Sequence, residues 1–424
     1  MQPVNNNGAQ CRCVGKHIEA ATELPATEPP NHEGNCSCAE GGSATDDGVR
    51  RGSDIGDSSP AEDGGDVCNS LAGGQVCRRS VHNPVISPAS DPLIGDNING
   101  PSVIEVPDWV DPATRLGGGR ARYYMYFAHH DGLFIRVAYS VHSPMGPWTV
   151  QRSDAGGVLH VSDTHFNHGT PHIASPDVHV DHERRAFHMV FHGNGGNIDH
   201  EAMYASSTDG LSFTALPEPV GRTYLRVFRF AETWWGVARQ QSLVAGRMEI
   251  AVYRVAGGGA SDAPSGVHGR FTFASSIAIP NEDFSRGRPR HFAVQVRSEE
   301  LDVYYTQIGD APERIKRVTI PLGQFREHRH TATGFPSSVT SSAVLEVLWP
   351  EADYEGADRE VQISTGGASY GPVRQVRDPC VHPRYASTSV AENGVNEPRY
   401  LFYSVAGEHG IGAALLRSDA EPTT

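Results

Sequence analysis

From about Asn83 onward the chain consists of short apolar and aromatic runs separated by Gly, Asp and Pro, and no stretch keeps a helical period. One unit holds Ser102-Val-Ile-Glu-Val106, Tyr123-Tyr-Met-Tyr-Phe127 and Ile135-Arg-Val-Ala-Tyr-Ser140, and closes on Gly146-Pro-Trp-Thr-Val150. The next holds Asp177-Val-His-Val-Asp181, Phe187-His-Met-Val-Phe191 and Glu201-Ala-Met-Tyr-Ala-Ser206, closing on Asp209-Gly-Leu-Ser-Phe-Thr214. Both end in a turn followed by an aromatic residue and a threonine. Four strands per repeat is the content of one propeller blade.

Weaker copies follow. Tyr224 to Phe230, Trp234 to Ala238, Met248 to Val255 and Phe271 to Ala274 make a third, and His291 to Val296, Leu301 to Gln307, Ile315 to Ile320 and Val344 to Leu348 a fourth. Cys380 to His382, Arg399 to Ser404 and Ile411 to Leu416 supply three strands of a fifth, with Asn83-Pro-Val-Ile86 expected as the outer strand that closes the ring. Closure protects strand edges that an open sheet leaves bare. The prediction is an all-β, five-bladed β-propeller over residues 81–418, with an irregular stretch at 321–343.

Residues 1–80 are rich in Gly, Ser, Asp, Glu, Asn and Pro and nearly free of aromatics, a composition that cannot bury enough apolar area to offset its ordering entropy. They read as a disordered extension, and residues 419–424 as a tail. Six of the seven cysteines (Cys11, Cys13, Cys36, Cys38, Cys68 and Cys77) lie in the extension without zinc-finger spacing, and Cys380 reads as a small core residue. The net charge of −15 argues against a nucleic-acid backbone binder. No run approaches the roughly 20 apolar residues of a membrane span, and Met1 to Gln10 lacks a signal-peptide pattern. A soluble cytoplasmic monomer is the default expectation, or a secreted one if the true start lies elsewhere.

Three units open alike, on a residue followed by Pro and an apolar strand: Gly100-Pro101, Ser175-Pro176 and Asp378-Pro379. In a propeller the start of each innermost strand and the turn after each second strand open on one face. That face gathers His129, His130 and Asp131, then His192, Arg239, Glu408 and His409, with Asn99, Ser175, Asp177, Arg377 and Asp378 from the strand starts. Carboxylates, imidazoles and guanidinium groups suit sugar hydroxyls, and neighbouring charges separate pKa values for acid–base work. Polar turn residues also have plain backbone reasons to be there. His165, His168, His172 and His179 crowd one stretch and raise a divalent ion as a lesser alternative; no cofactor is expected.

The runs Tyr123 to Trp148, Ser175 to Asp181 and Ser207 to Leu211, with Gly371 to Pro379 and Tyr400 to Glu408, resemble blades of the arabinanase/levansucrase/invertase superfamily. The resemblance covers about Asn83 to Leu416 and implies a carbohydrate partner and glycosyl-bond hydrolysis by paired carboxylates. On that footing Asp177 and Asp378 are the expected acid–base pair, assisted by Glu408 and His129. Asn99, His130, Asp131, Ser175, His192, Arg239, Arg377 and His409 are the expected substrate contacts. The superfamily's first-blade carboxylate is absent, since Gly100 stands there. A polysaccharide lyase using His129 or His192 as base, and a binding propeller without catalysis, are the alternatives.

Overall fold

The structure, a computed structural model, describes residues 76–130, 132–151, 157–164, 172–193, 201–242, 246–255, 267–282, 284–285, 287–327, 338–386 and 397–417. The chain divides into two units, Met1–Gly64 and Gly65–Thr424, and the described residues belong to the second. The expected disordered extension before residue 76, with Cys11, Cys13, Cys36, Cys38 and Cys68, lies outside them, as do Asp131, His165, His168 and the tail.

Five antiparallel sheets form the ring. Blade one runs Asn99–Glu105, Tyr123–Ala128, Phe134–Ser140 and Thr149–Val150; blade two runs Ile173–Asp181, Ala186–Gly193, Glu201–Ser207 and Thr214–Ala215. Blade three is Arg226–Phe230, Thr233–Gln241, Met248–Val255 and Phe271–Ala278, and blade four is Arg288–Arg297, Glu300–Ile308, Ile315–Pro321 and Leu345–Leu348. Blade five is Arg377–His382, Tyr400–Ser404 and Ile411–Leu416. The middle strands read as unbroken apolar runs because a blade is covered on both faces by its neighbours. Five apolar clusters result, one in each gap between adjacent blades. Among the described residues, no helix is long and apolar enough to cross a membrane.

Two details differ from expectation. The outer strand of blade five is Val76–Arg79, paired with Ile411–Leu416, and not Asn83 to Ile86. Pro84 follows a cis peptide bond, and Ile86 makes only an isolated bridge to Ile411. A segment with a proline at its centre supplies few ladder donors, so the ring begins at Val76 and takes in residues read from composition as disordered. The irregular stretch after Pro321 contains a short helix, Gly323–Glu327, and the strand Ser338–Thr340, which joins the rim of blade three in parallel.

The axial edge of each innermost strand is met by the next blade, and in blade four Arg288–Arg297 pairs there in parallel with Tyr385–Ala386. The Ser102 hydroxyl accepts from the Val178 N–H at 2.9 Å, the Asp177 carboxylate from Val227 N–H at 3.2 Å, and the Cys380 sulfur from Val103 N–H at 3.4 Å. Arg226 Nε donates to the Phe292 carbonyl at 2.8 Å, and Gln295 Nε2 to that of Pro383 at 2.7 Å. Each of the five blade-to-blade steps is thereby bridged.

Closure of the ring rests on one ion pair. Arg79 of the outer strand donates to both oxygens of the fully buried Glu355, at 2.9 and 3.1 Å. The Tyr403 hydroxyl and the backbone N–H groups of Glu351 and Ala352 hold the same carboxylate. Arg79→Met leaves that carboxylate buried without its cation, and should lower unfolding stability by about 3 kcal/mol. Denaturant melts check this, with Glu355→Gln added to Arg79→Met recovering part of the loss.

Candidate active site

The first link from sequence to site is a backbone conformation repeated in every blade. Gly100, Ser175, Tyr224, His291 and Asp378, each at the start of an innermost strand, have φ of 63°, 50°, 58°, 52° and 47°. Left-handed backbone is uncommon for residues other than glycine and costs on the order of 1 kcal/mol at each. In blades one, two, four and five a register shift accompanies it. The kink turns one residue per blade toward the axis.

Contacts run round these five. A Cβ at Gly100 would stand 3.2 Å from the Ser175 Cα, a tight approach at the place where the superfamily's first-blade carboxylate was sought. The Ser175 carbonyl accepts from Arg226 at 3.2 Å. The Tyr224 ring meets that of His291 edge-on at 4.9 Å, with the Arg239 guanidinium 5.7 Å from the Tyr224 centroid. His291 Nδ1 lies 3.3 Å from Asp378 Oδ1. The Ser404 hydroxyl donates to Asp378 Oδ2 at 3.1 Å and receives the Gly100 N–H at 3.3 Å, which closes the circle.

Beside Asp378 stands a second carboxylate, Glu408, in the turn before Ile411–Leu416. It receives Asn97 at 2.8 Å, Arg377 at 3.1 Å and Asn99 at 3.4 Å, and His130 Nδ1 lies 3.4 Å away. Arg377 also reaches Glu313 at 3.2 Å, and Glu313 is held by Arg290 through both oxygens. These surroundings drive the two acids apart. Burial, then the charge of Glu408, pushes Asp378 up to about 6. Burial alone would raise Glu408 too, but His130, Arg377 and Asn97 overcome it and bring it down to about 2. The Glu408 hydrogen bond in turn raises His130, whereas burial and nearby guanidinium groups keep His291 uncharged. Burial lifts the Tyr224 phenol to about 12.

The structure brings together Asp378, Glu408, His130, Asn99, Arg377 and, through Tyr224, His192 and Arg239. His192 lies 4.9 Å from Tyr224 and 5.4 Å from His172, and His172 lies 5.9 Å from His130, all between ring centroids. Arg377 is occupied by Glu313, Glu408 and Gln375, so it tunes charge and has little left for a substrate. His129 turns its ring onto Phe134, and His409 sits half-buried behind Glu408.

Asp177 is the exception. Two-residue alternation places it on the side of Ser175, but the left-handed kink at Ser175 and the shift between Ala174 and Asp177 break that alternation. Its carboxylate is held by Arg384, His179 and the Val227 N–H. Asp177 and Asp378 therefore sit in separate hydrogen-bond circuits, and the carboxylate that stands beside Asp378 is Glu408. His179 is likewise engaged with Asp177 at 3.1 Å. Among the described residues, no three His, Cys, Asp or Glu side chains are grouped to hold a metal ion.

Sequence reading missed Tyr224, His291, Asn97, Arg290 and Glu313. The X-Pro signal marked the kink in three blades; Tyr224 and His291 precede Leu225 and Phe292, so the same kink went unmarked there.

No family model matches the chain. It is 30% identical over 342 residues to the uncharacterised protein R118 of Acanthamoeba polyphaga mimivirus, covering 76% of this chain and 83% of that one. Among solved structures it is similar to an α-L-arabinofuranosidase from Lactobacillus brevis (12% identity, 80% and 93% of the two chains, TM-score 0.45). It is also similar to the catalytic domain of a GH62 α-L-arabinofuranosidase from Coprinopsis cinerea (13% identity, 82% and 100%, TM-score 0.45). Likeness at this level leaves the chemistry to the chain's own residues.

The two aspartates predict opposite stability effects. Asp177→Asn removes the charge facing Arg384 and should destabilise the fold by about 3 kcal/mol. Asp378 has a raised pKa, so the folded state holds its proton more tightly than the unfolded chain. Its contribution is complete below the ordinary carboxylate value and lost as pH rises to about 6. Asp378→Asn should therefore stabilise the protein at pH 7, on the order of 1–3 kcal/mol, and flatten the pH 4–6 slope of the melting temperature.

Proposed function

The chain belongs to the same family as protein R118 of Acanthamoeba polyphaga mimivirus, and we propose that its funnel binds a carbohydrate and cleaves a glycosidic bond. The reading is supported above all by one observation: two buried carboxyl groups in one funnel are pushed in opposite directions, Asp378 to about 6 and Glu408 to about 2. Environments that separate two acids in this way define an acid and a counter-charge.

In this reading Asp378, protonated in mildly acidic solution, gives its proton to the glycosidic oxygen as the bond to the anomeric carbon breaks. Glu408 stays ionised and stabilises the positive charge that develops on the sugar, and a water molecule then bonds to the anomeric carbon and returns a proton to the Asp378 carboxylate. Asn97, Asn99 and His130 fix hydroxyl groups as well as Glu408, and the Tyr224 ring offers a flat apolar surface. His291 is uncharged, so it can accept from or donate to Asp378 without competing for its proton.

A second reading, binding without cleavage, is favoured by Gly100. Glycine has no side chain and an added Cβ would stand 3.2 Å from the Ser175 Cα, so this position of blade one contributes no carboxylate to the funnel.

Hydrolysis of a panel of 4-nitrophenyl glycosides and plant or algal oligosaccharides separates the two. Asp378→Asn should lower kcat by about 10²–10⁴-fold with KM little changed, and Glu408→Gln should lower it too. The general acid must hold its proton, so kcat/KM should fall tenfold per unit above pH about 6. Full activity in Asp378→Asn would remove the proposed acid. Saturable binding with no turnover by the unaltered protein would leave the binding reading.

A further inference from the structure

The face opposite the funnel carries a cavity of about 620 Å³ where the innermost hairpins of several blades end. Its walls include His179 and Trp234, with Phe230, His382, Arg384 and Tyr385 around them. None of these takes part in the circle around Asp378. The volume falls in the range of small-molecule sites, roughly 300–1,000 Å³.

Charge narrows what it would accept. Each arginine that lines it already faces a carboxylate: Arg184 with Asp181 at 2.9 Å, Arg229 with Glu232 at 3.0 Å, and Arg384 with Asp177. No guanidinium charge is left over to reward an anion. Burial, reinforced by Arg384, brings His179 and His382 down to about 4, so both are uncharged at neutral pH. His179 Nε2 lies 3.1 Å from the Asp177 carboxylate, which takes its donor and leaves the other ring nitrogen to accept from a hydroxyl group.

The walls are aromatic. Trp234 and Phe230 are half-buried, and the Tyr385 ring is 45% exposed. Tyr385 is also braced. Its strand, Tyr385–Ala386, pairs in parallel with Arg288–Arg297, and its hydroxyl accepts from the Arg229 N–H at 2.8 Å. A partly open aromatic surface held in place suits a ring with an apolar C–H face.

We propose that this cavity is a second binding site and that its ligand is an uncharged saccharide of one or two rings. Paired arginines disfavour acidic sugars, neutral imidazoles match hydroxyl groups, and the aromatic wall matches the face of the ring. The inference rests on the cavity's own residues and not on cleavage in the funnel.

Saturation-transfer NMR on the full chain tests it, with cellobiose, xylobiose and lactose as neutral probes and galacturonic acid and glucosamine as charged ones. At least one neutral disaccharide should bind with an affinity that weakens at least about tenfold in Trp234→Ala and is unchanged in Tyr224→Ala, which removes the apolar surface of the funnel. If Trp234→Ala fails to fold, Tyr385→Ala carries the same comparison. Binding lost in Tyr224→Ala but kept in the cavity variant would place the sugar in the funnel and overturn the proposal. So would binding by the charged probes alone, or by no probe.

Discussion

The innermost strands turn an edge to the ring's axis, and apart from the short Tyr385–Ala386 pairing in blade four the structure depends, among the described residues, on side chains to seal those edges. Main-chain donors and acceptors left bare at the centre would each forfeit a hydrogen bond in a place with little water. The solution is side chains from the next blade: Ser102, Asp177 and Cys380 accept strand N–H groups, while Arg226 and Gln295 donate to carbonyls. The chemistry varies from blade to blade while the position recurs. Ser102, Asp177, Arg226 and Cys380 each stand two residues after the left-handed residue of their blade. Asp177 belongs to this seal, and its ionisation is held well below the usual carboxylate range despite burial by Arg384 and His179.

The same kink creates the funnel. By turning one residue per blade to the axis, it places Gly100, Ser175, Tyr224, His291 and Asp378 in one circle. Strain in four residues other than glycine is maintained because sealing and packing on both sides over-determine the backbone. The circle has an asymmetry with chemical consequences. Blades one and two present almost nothing, blades three and four present rings, and blade five presents a carboxyl group. Asp378 is therefore desolvated by aromatic and imidazole neighbours, and its one hydroxyl donor, Ser404, is shared with the Gly100 backbone.

The electrostatics follow from depth. Arg290, Glu313, Arg377 and Glu408 alternate in sign through the buried wall next to Asp378. Such a chain keeps Glu408 ionised while leaving Asp378 the less favoured site for a second negative charge. On the opposite face each arginine of the cavity stands beside a carboxylate, and the two inner histidines are neutral. One ring thus offers two environments with different polarity, separated by the sealed strands.

Much of the fold was legible along the chain. Four-strand recurrence, paired turns and the X-Pro starts located all five blades, because strand length and alternation are local and each blade repeats the same packing problem. Proline marked the kink where it follows directly, at Gly100, Ser175 and Asp378. Tyr224 and His291 had no such marker, since any residue can be forced into that conformation by its neighbours. The closing strand at Val76 was hidden for a related reason: four residues gain their partner only when Ile411–Leu416 and Glu355 come within reach. The amino-acid sequence by itself determined the repeat and the ring. Only the tertiary structure decided that Asp177 seals a strand while Asp378 and Glu408 share the funnel, because one left-handed residue reverses the alternation on which a linear reading depends.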